Sequence, residues 1–131
     1  MVASLAVGCG NKGGDSKSDS SKSSSSDEIT IGFSQVGAES DWRTANSESM
    51  KSTFSEKNGY KLIFDDAQQK QENQITAIRN FIQQDVDYIV LAPVTETGWD
   101  TVLKEAKDAD IPVIIVDRMI DVSDDSLYTA W

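Results

Sequence analysis

Four short apolar runs are separated by three longer amphipathic ones between residues 29 and 116, and that alternation sets the expected fold. Ile29, Ile31 and Phe33 occupy alternate positions, which predicts a first strand over residues 29–36. A polar loop at residues 37–41 leads into a helix over residues 42–57, with Asp41 as its expected N-cap and Asn58-Gly59 as its stop. Residues 60–64 give a short second strand, and Asp65-Asp66-Ala67-Gln68-Gln69 the turn after it. Within a helix over residues 70–84, Ile75, Ile78 and Ile82 fall on one face. Residues 87–92 are almost continuously apolar, as a buried parallel strand requires, and Pro93 ends ladder donation there. A third helix over residues 96–109 turns Trp99, Val102, Leu103 and Ala106 inward, and residues 111–116 give a fourth, fully apolar strand. Residues 126–131 fit the start of a fifth. Strands and helices in this alternation predict an α/β fold, a doubly wound parallel sheet with right-handed crossovers.

Composition changes the picture at the amino terminus. Residues 10–27 are almost entirely Gly, Asn, Ser, Asp and Lys with no apolar side chain, so burial cannot offset the entropy of ordering them and a flexible tether is expected. Ahead of it, residues 1–9 are small and apolar and close on Ala6-Val7-Gly8-Cys9. That ending resembles the end of a bacterial lipoprotein signal, where the cysteine is lipid-modified and becomes the new amino terminus. The resemblance implies that the chain opens inside its signal peptide and that the protein is exported and held at the membrane by lipid on Cys9. No segment is long enough to span a bilayer. The expected organisation is a signal remnant over residues 1–9, a tether over 10–27 and a folded unit over 28–131.

Charge and residue inventory narrow the chemistry. The formal net charge is −10, and the tether's lysines and aspartates cancel, so the excess falls on the folded part. Such a surface repels phosphate backbones, which argues against nucleic acid as a partner. The chain has no histidine and one cysteine, which removes Ser-His and Cys-His nucleophile systems, an internal disulfide and a cysteine-based zinc site. No metal or cofactor is expected. No GxGxxG follows the first strand and no P-loop motif occurs, so dinucleotide and phosphate-cradling readings have no support. Signalling receiver domains need an acidic cluster after strand one and an aspartate ending strand three. Ser34-Gln35 and Leu91-Ala92-Pro93 stand in those places.

Two polar runs remain: Glu39-Ser40-Asp41-Trp42-Arg43 after the first strand and Asp117-Arg118 after the fourth. In an open α/β sheet, ligands bind beyond the carboxyl ends of the strands, where strand order reverses. Carboxylates accept hydrogen bonds from hydroxyls, guanidinium donates a rigid fork of them, and indole covers an apolar C–H face. Together they form the set that holds a sugar. Taken singly each residue has a plainer role: Trp42 packs on its own helix, the arginines are surface charges, and Asp117 caps a loop. Trp99 belongs to the core, and the tract Gln68-Gln69-Lys70-Gln71-Glu72 reads mainly as a solvated helix start.

The stretch Ile31-Gly32-Phe33-Ser34-Gln35-Val36-Gly37, followed by Glu39-Ser40-Asp41-Trp42-Arg43, resembles the start of the type I periplasmic sugar-binding proteins, closest to their galactofuranose-binding branch. Asp66-Ala67-Gln68-Gln69-Lys70-Gln71-Glu72-Asn73-Gln74, Pro93-Val94 with Glu96-Thr97-Gly98-Trp99, and residues 112–118 resemble the same branch in the same order. The resemblance implies that Glu39, Ser40, Asp41, Trp42, Arg43, Asp117 and Arg118 contact a monosaccharide, with Asp117 also partnering Arg118. It implies no catalysis. It further implies a solute-binding subunit of an ABC sugar importer that works with a permease and its ATPase. Members have two lobes that close on the sugar, and this chain matches only part of the first, so the fold is expected to be incomplete and the chain alone to bind sugar poorly or not measurably. Three other readings share the architecture. A sugar-responsive transcriptional regulator would carry a basic helix-turn-helix where Cys9 and the tether lie. A glycosidase would use Glu39 and Asp117 as a carboxylate pair, yet neighbouring arginines favour carboxylate forms and a general acid needs the opposite. A lobe signalling sugar occupancy to a membrane receptor kinase is not separated from import by sequence.

Overall fold

A computed structural model describes residues 28–131, so the signal remnant, Cys9 and the tether lie outside the described residues. Four parallel strands, β1 (Ile29–Gln35), β2 (Tyr60–Asp66), β3 (Tyr88–Leu91) and β4 (Val113–Ile115), lie in the order β2-β1-β3-β4. The chain leaves β1 in one direction to reach β2, then crosses back past β1 to β3 and on to β4. Crossovers of one hand that travel in opposite directions must lie on opposite faces. Helix α1 (Asp41–Thr53) accordingly packs beside Ile31, Phe33 and Val90, while α2 (Gln71–Gln83) and α3 (Asp100–Asp108) share the other face with Ile89, Leu91, Val113 and Ile115. The predicted parallel, doubly wound sheet is what forms. The expected fifth strand begins as a parallel bridge from Ala130 to Ile114, with Ile115 N–H donating to the Ala130 carbonyl at 2.9 Å.

Local chemistry shifts three boundaries. The N-cap of α1 is Ser40, not Asp41: extended at φ −140°, it accepts from the Arg43 N–H, and Asp41 becomes the first helical residue. The helix also stops at Thr53 rather than running to residue 57, because Asn58 folds back and donates its side-chain amide to the Thr53 carbonyl at 2.8 Å. A 3₁₀ turn (Glu56–Asn58) and Gly59 at φ 87° complete the exit. Helix α3 starts at Asp100 rather than near residue 96. Gly98 sits at φ 91°, which no right-handed helix accommodates, and Gln71 Nε2 donates to the Thr97 carbonyl at 2.7 Å. Trp99 is fully buried, as expected.

The inward face of α2 is Gln74, Ala77, Ile78 and Phe81, with Ile75 and Ile82 only half-buried beside it. Phe81 lies directly over Gly32: a Cβ there would meet its ring at 2.4 Å. The glycine lets α2 settle close to the centre of the sheet.

One polar pair on this face has no partner. Ser34 and Asp65 are register neighbours on β1 and β2, and neither Ser34 Oγ nor Asp65 Oδ2 makes a hydrogen bond among the described residues. Burial, and then the Asp66 charge, push the Asp65 carboxyl above its ordinary 3.8. A raised folded-state pKa means that the folded chain holds this proton more tightly than the unfolded one. Stability from this group is therefore present in acid and lost as pH rises from 3.8 through the folded value. Asp65→Asn removes that loss and adds an amide donor beside Ser34. Its urea midpoint is expected to exceed the parent's at pH 7, with the advantage gone at pH 3. An equal shift at both pH values would show that the carboxylate charge is not responsible.

Candidate functional site

The point where strand order reverses lies between β1 and β3, since α1 leaves β1 toward β2 and α3 leaves β3 toward β4. Loops at their carboxyl ends therefore diverge and leave a crevice. Residues from β1, β3 and β4 meet there.

Arg43, on the first turn of α1, is the hub. Its Nε and Nη2 donate to Asp117 Oδ2 at 3.3 and 3.2 Å, across 74 positions of sequence, and its Nη1 pairs with Glu39. A guanidinium held from two sides is fixed in orientation, and its side chain is 13% exposed against 29% and 20% for Glu39 and Asp117. Glu39 reaches this position by folding over Gly37: a Cβ at Gly37 would stand 2.7 Å from Glu39 Oε2. Asp117 is the centre of a three-residue turn, with φ 74° and Arg118 N–H donating to the Val116 carbonyl at 2.9 Å. That γ-turn is the rare, strained kind, and a non-glycine residue in it costs on the order of 1–3 kcal/mol. The strain aims the carboxylate at Arg43.

Arg118 is placed differently from expectation. Its Nη1 donates to the Val94 carbonyl at 3.2 Å, which ties the β4 loop to the β3 loop, and Asp117 is partnered by Arg43. The reversed turn at Asp117 points successive side chains apart. Ser40 caps α1, Asp41 is exposed beside it, and Trp42 presents its indole at 57% exposure. Its exposed part offers a flat apolar surface to a ligand.

Two buried glutamines, which the sequence reading did not single out as site residues, hold these loops. Gln35 at the end of β1 donates to Asn46 Oδ1 at 2.9 Å and Ser47 Oγ at 3.2 Å, and accepts from the Val36 N–H. It fastens the β1 loop to α1. Gln74 of α2 donates to the Ala92 carbonyl at 2.8 Å and accepts from the Val94 N–H at 2.9 Å, so it supports the carbonyl that Arg118 uses. Gln74 precedes Ala77, Ile78 and Phe81 by three, four and seven residues, the spacing of one helical face. That spacing was the available signal. No group of three metal-ligating side chains and no helix long and apolar enough to cross a membrane occurs among the described residues.

Comparison with known proteins gives this geometry a family. The periplasmic binding protein domain model matches residues 31–130. The chain belongs to the periplasmic binding protein family. Family similarity extends to the galactofuranose-binding protein YtfQ of Escherichia coli, 60% identical over 100 residues, covering 76% of this chain and 31% of that protein. The fructose import binding protein FruE of Bifidobacterium longum is 39% identical over 125 residues, covering 95% of this chain and 36% of that one. Among solved structures, the binding protein of the arabinose ABC transporter of Shewanella sp. ANA-3, bound to α- and β-L-arabinofuranose, superposes with TM-score 0.74 at 62% identity. The match covers 78% of this chain and 34% of that one. The chain thus spans about a third of the length of these periplasmic binding proteins.

Proposed function

We propose that residues 28–131 form part of the first lobe of a solute-binding subunit of an ABC sugar importer, for a hexose such as galactofuranose. The observation that carries this reading is the Glu39–Arg43–Asp117 bridge beside the exposed Trp42, at the reversal point of the sheet. Similarity to galactofuranose- and arabinofuranose-binding relatives supports the sugar class. In this reading Glu39 and Asp117 accept hydrogen bonds from sugar hydroxyls, while Arg43 and Arg118 donate them. Ser40 and Asp41 add polar contacts at the helix start, and Trp42 covers a ring face. Nothing in the reading calls for catalysis: the subunit captures sugar outside the cytoplasm, and closure on it presents a liganded shape to the permease and its ATPase. Lipid on Cys9, with residues 10–27 as tether, would hold the lobe at the membrane.

Part of one lobe offers less than half a binding surface, so affinity no better than millimolar is expected, on the order of −4 kcal/mol. Titrating the ¹⁵N-labelled chain with methyl β-D-galactofuranoside should move amide signals at Glu39–Arg43 and Asp117–Arg118. Signals at Ile29 and Tyr88, at the opposite ends of β1 and β3, should stay still. Absence of shifts at the first group would remove the sugar reading. Micromolar binding by calorimetry would overturn the claim that a second lobe is needed.

A further inference from the structure

Beyond the seven residues assigned above, one side chain after β2 lies against the loop that carries Glu39. Gln69 lies against Gly37. The point where a Gly37 Cβ would stand is 2.7 Å from Glu39 Oε2 and 3.4 Å from Gln69 Cγ. Gln68 and Gln69 fall in the turn expected after β2, ahead of α2, not in a solvated helix start. They occupy a turn in which both are left-handed, at φ 52° and 62°. Glycine or asparagine would take that conformation with less strain. The turn is firmly pinned: Gln69 N–H donates to the Val36 carbonyl at 2.7 Å, Gln68 N–H to Asp66 Oδ1 at 2.8 Å, and Asn73 Nδ2 to the Ala67 carbonyl at 2.9 Å. Every one of those bonds uses the backbone of residues 67–69. The Gln69 amide makes no hydrogen bond among the described residues and is exposed. The turn thus holds a long, uncommitted amide next to Glu39, in a conformation that does not itself ask for glutamine.

We propose that Gln69 is a specificity-determining residue that hydrogen-bonds the exocyclic hydroxyl arm of a hexofuranose. The proposal rests on the sugar-binding reading above and deepens it. The polar row runs along the strand ends from Gln69 after β2, through Glu39 and Arg43 after β1, to Asp117 after β4. Adjacent strands are about 4.8 Å apart, so a row reaching from β2 to β4 is longer than one five-membered ring. A ring seated at Arg43 and Asp117 leaves room toward Glu39 and Gln69 for the substituent on its fourth carbon. A primary amide offers both donor and acceptor, which suits the vicinal hydroxyls of such an arm.

Two furanosides test this directly. Methyl β-D-galactofuranoside and methyl α-L-arabinofuranoside share ring configuration and differ by one hydroxymethylene unit of the arm. Gln69→Gly keeps the left-handed turn and should not lower the thermal midpoint. It is expected to weaken galactofuranoside binding about tenfold, as loss of a hydrogen bond worth about 1.4 kcal/mol would, and to leave arabinofuranoside binding within about twofold. Gln68→Gly, in the same turn, should change neither. Equal weakening for both sugars, or the same loss in Gln68→Gly, would overturn the proposal and point to the turn's geometry. Unchanged galactofuranoside binding in Gln69→Gly would overturn it while leaving the sugar reading intact. Failure of the parent chain to respond to either sugar removes both.

Discussion

Arg43→Ala is expected to abolish sugar-dependent signals while leaving the fold intact. The guanidinium pairs with both Glu39 and Asp117, so its removal leaves two carboxylates at the crevice without their shared partner. Truncating one member of a hydrogen-bonded charge cluster costs about 2–5 kcal/mol of binding, at least some thirtyfold in affinity. From a millimolar starting point, that places binding beyond detection. Fold stability should change by less than about 1 kcal/mol, because the three side chains remain partly exposed and such pairs contribute little to folding. Arg43→Lys should fall between, since an ammonium is a point charge and cannot fork between two carboxylates. A titration of each variant, beside a urea curve, checks both halves. Retained sugar shifts in Arg43→Ala would displace the bridge from the centre of the site.

The contrast between Asp117 and Gln69 shows how far sequence could reach. Apolar periodicity made the strands and their order of appearance legible, because each of β1, β3 and β4 buries both faces and so carries an uninterrupted or alternating apolar run. The polar residues just past those runs were legible as site candidates for the same reason: nothing apolar competes with them at the strand ends. Partnership was not legible. Asp117 was expected beside Arg118, yet the left-handed backbone at residue 117 sends it to Arg43, and no residue type at 117 announces a positive φ. The turn over residues 65–69 was legible, but its consecutive left-handed residues at Gln68 and Gln69 were not, because glutamine is a good helix former and gives no sign of a positive φ. Ser40 against Asp41 as the cap is a one-residue ambiguity between two good capping types, decided by which one is extended. Gln35 and Gln74 escaped notice because a buried glutamine looks like a surface one until its backbone partners are known.

The largest effect on stability is expected at Trp99, a residue that serves the crevice from inside the core. Its side chain is fully buried in the cluster that includes Ile78 of α2, Leu103 of α3 and Val113 of β4. Its Nε1 donates to the Thr95 carbonyl at 2.9 Å, and its own carbonyl accepts from the Leu103 N–H at 3.0 Å to start α3. The indole therefore joins the hydrophobic layer to the β3 loop, one residue beyond the Val94 carbonyl that anchors Arg118. Trp99→Ala removes most of a large side chain from a packed interior and should cost about 3–5 kcal/mol. Domains of this size have about 5–15 kcal/mol in total, so the variant should remain folded only under favourable conditions. Trp99→Phe keeps much of the volume but leaves the Thr95 carbonyl without its donor. It should lose less stability, yet broaden the amide signals of Val94 to Gly98 and of Arg118. Urea unfolding and the same ¹⁵N spectra separate the two effects. A loss below about 1 kcal/mol for Trp99→Ala would mean that the layer between α2 and α3 closes without it, and the link from core to crevice would then have to run through Gln74 alone.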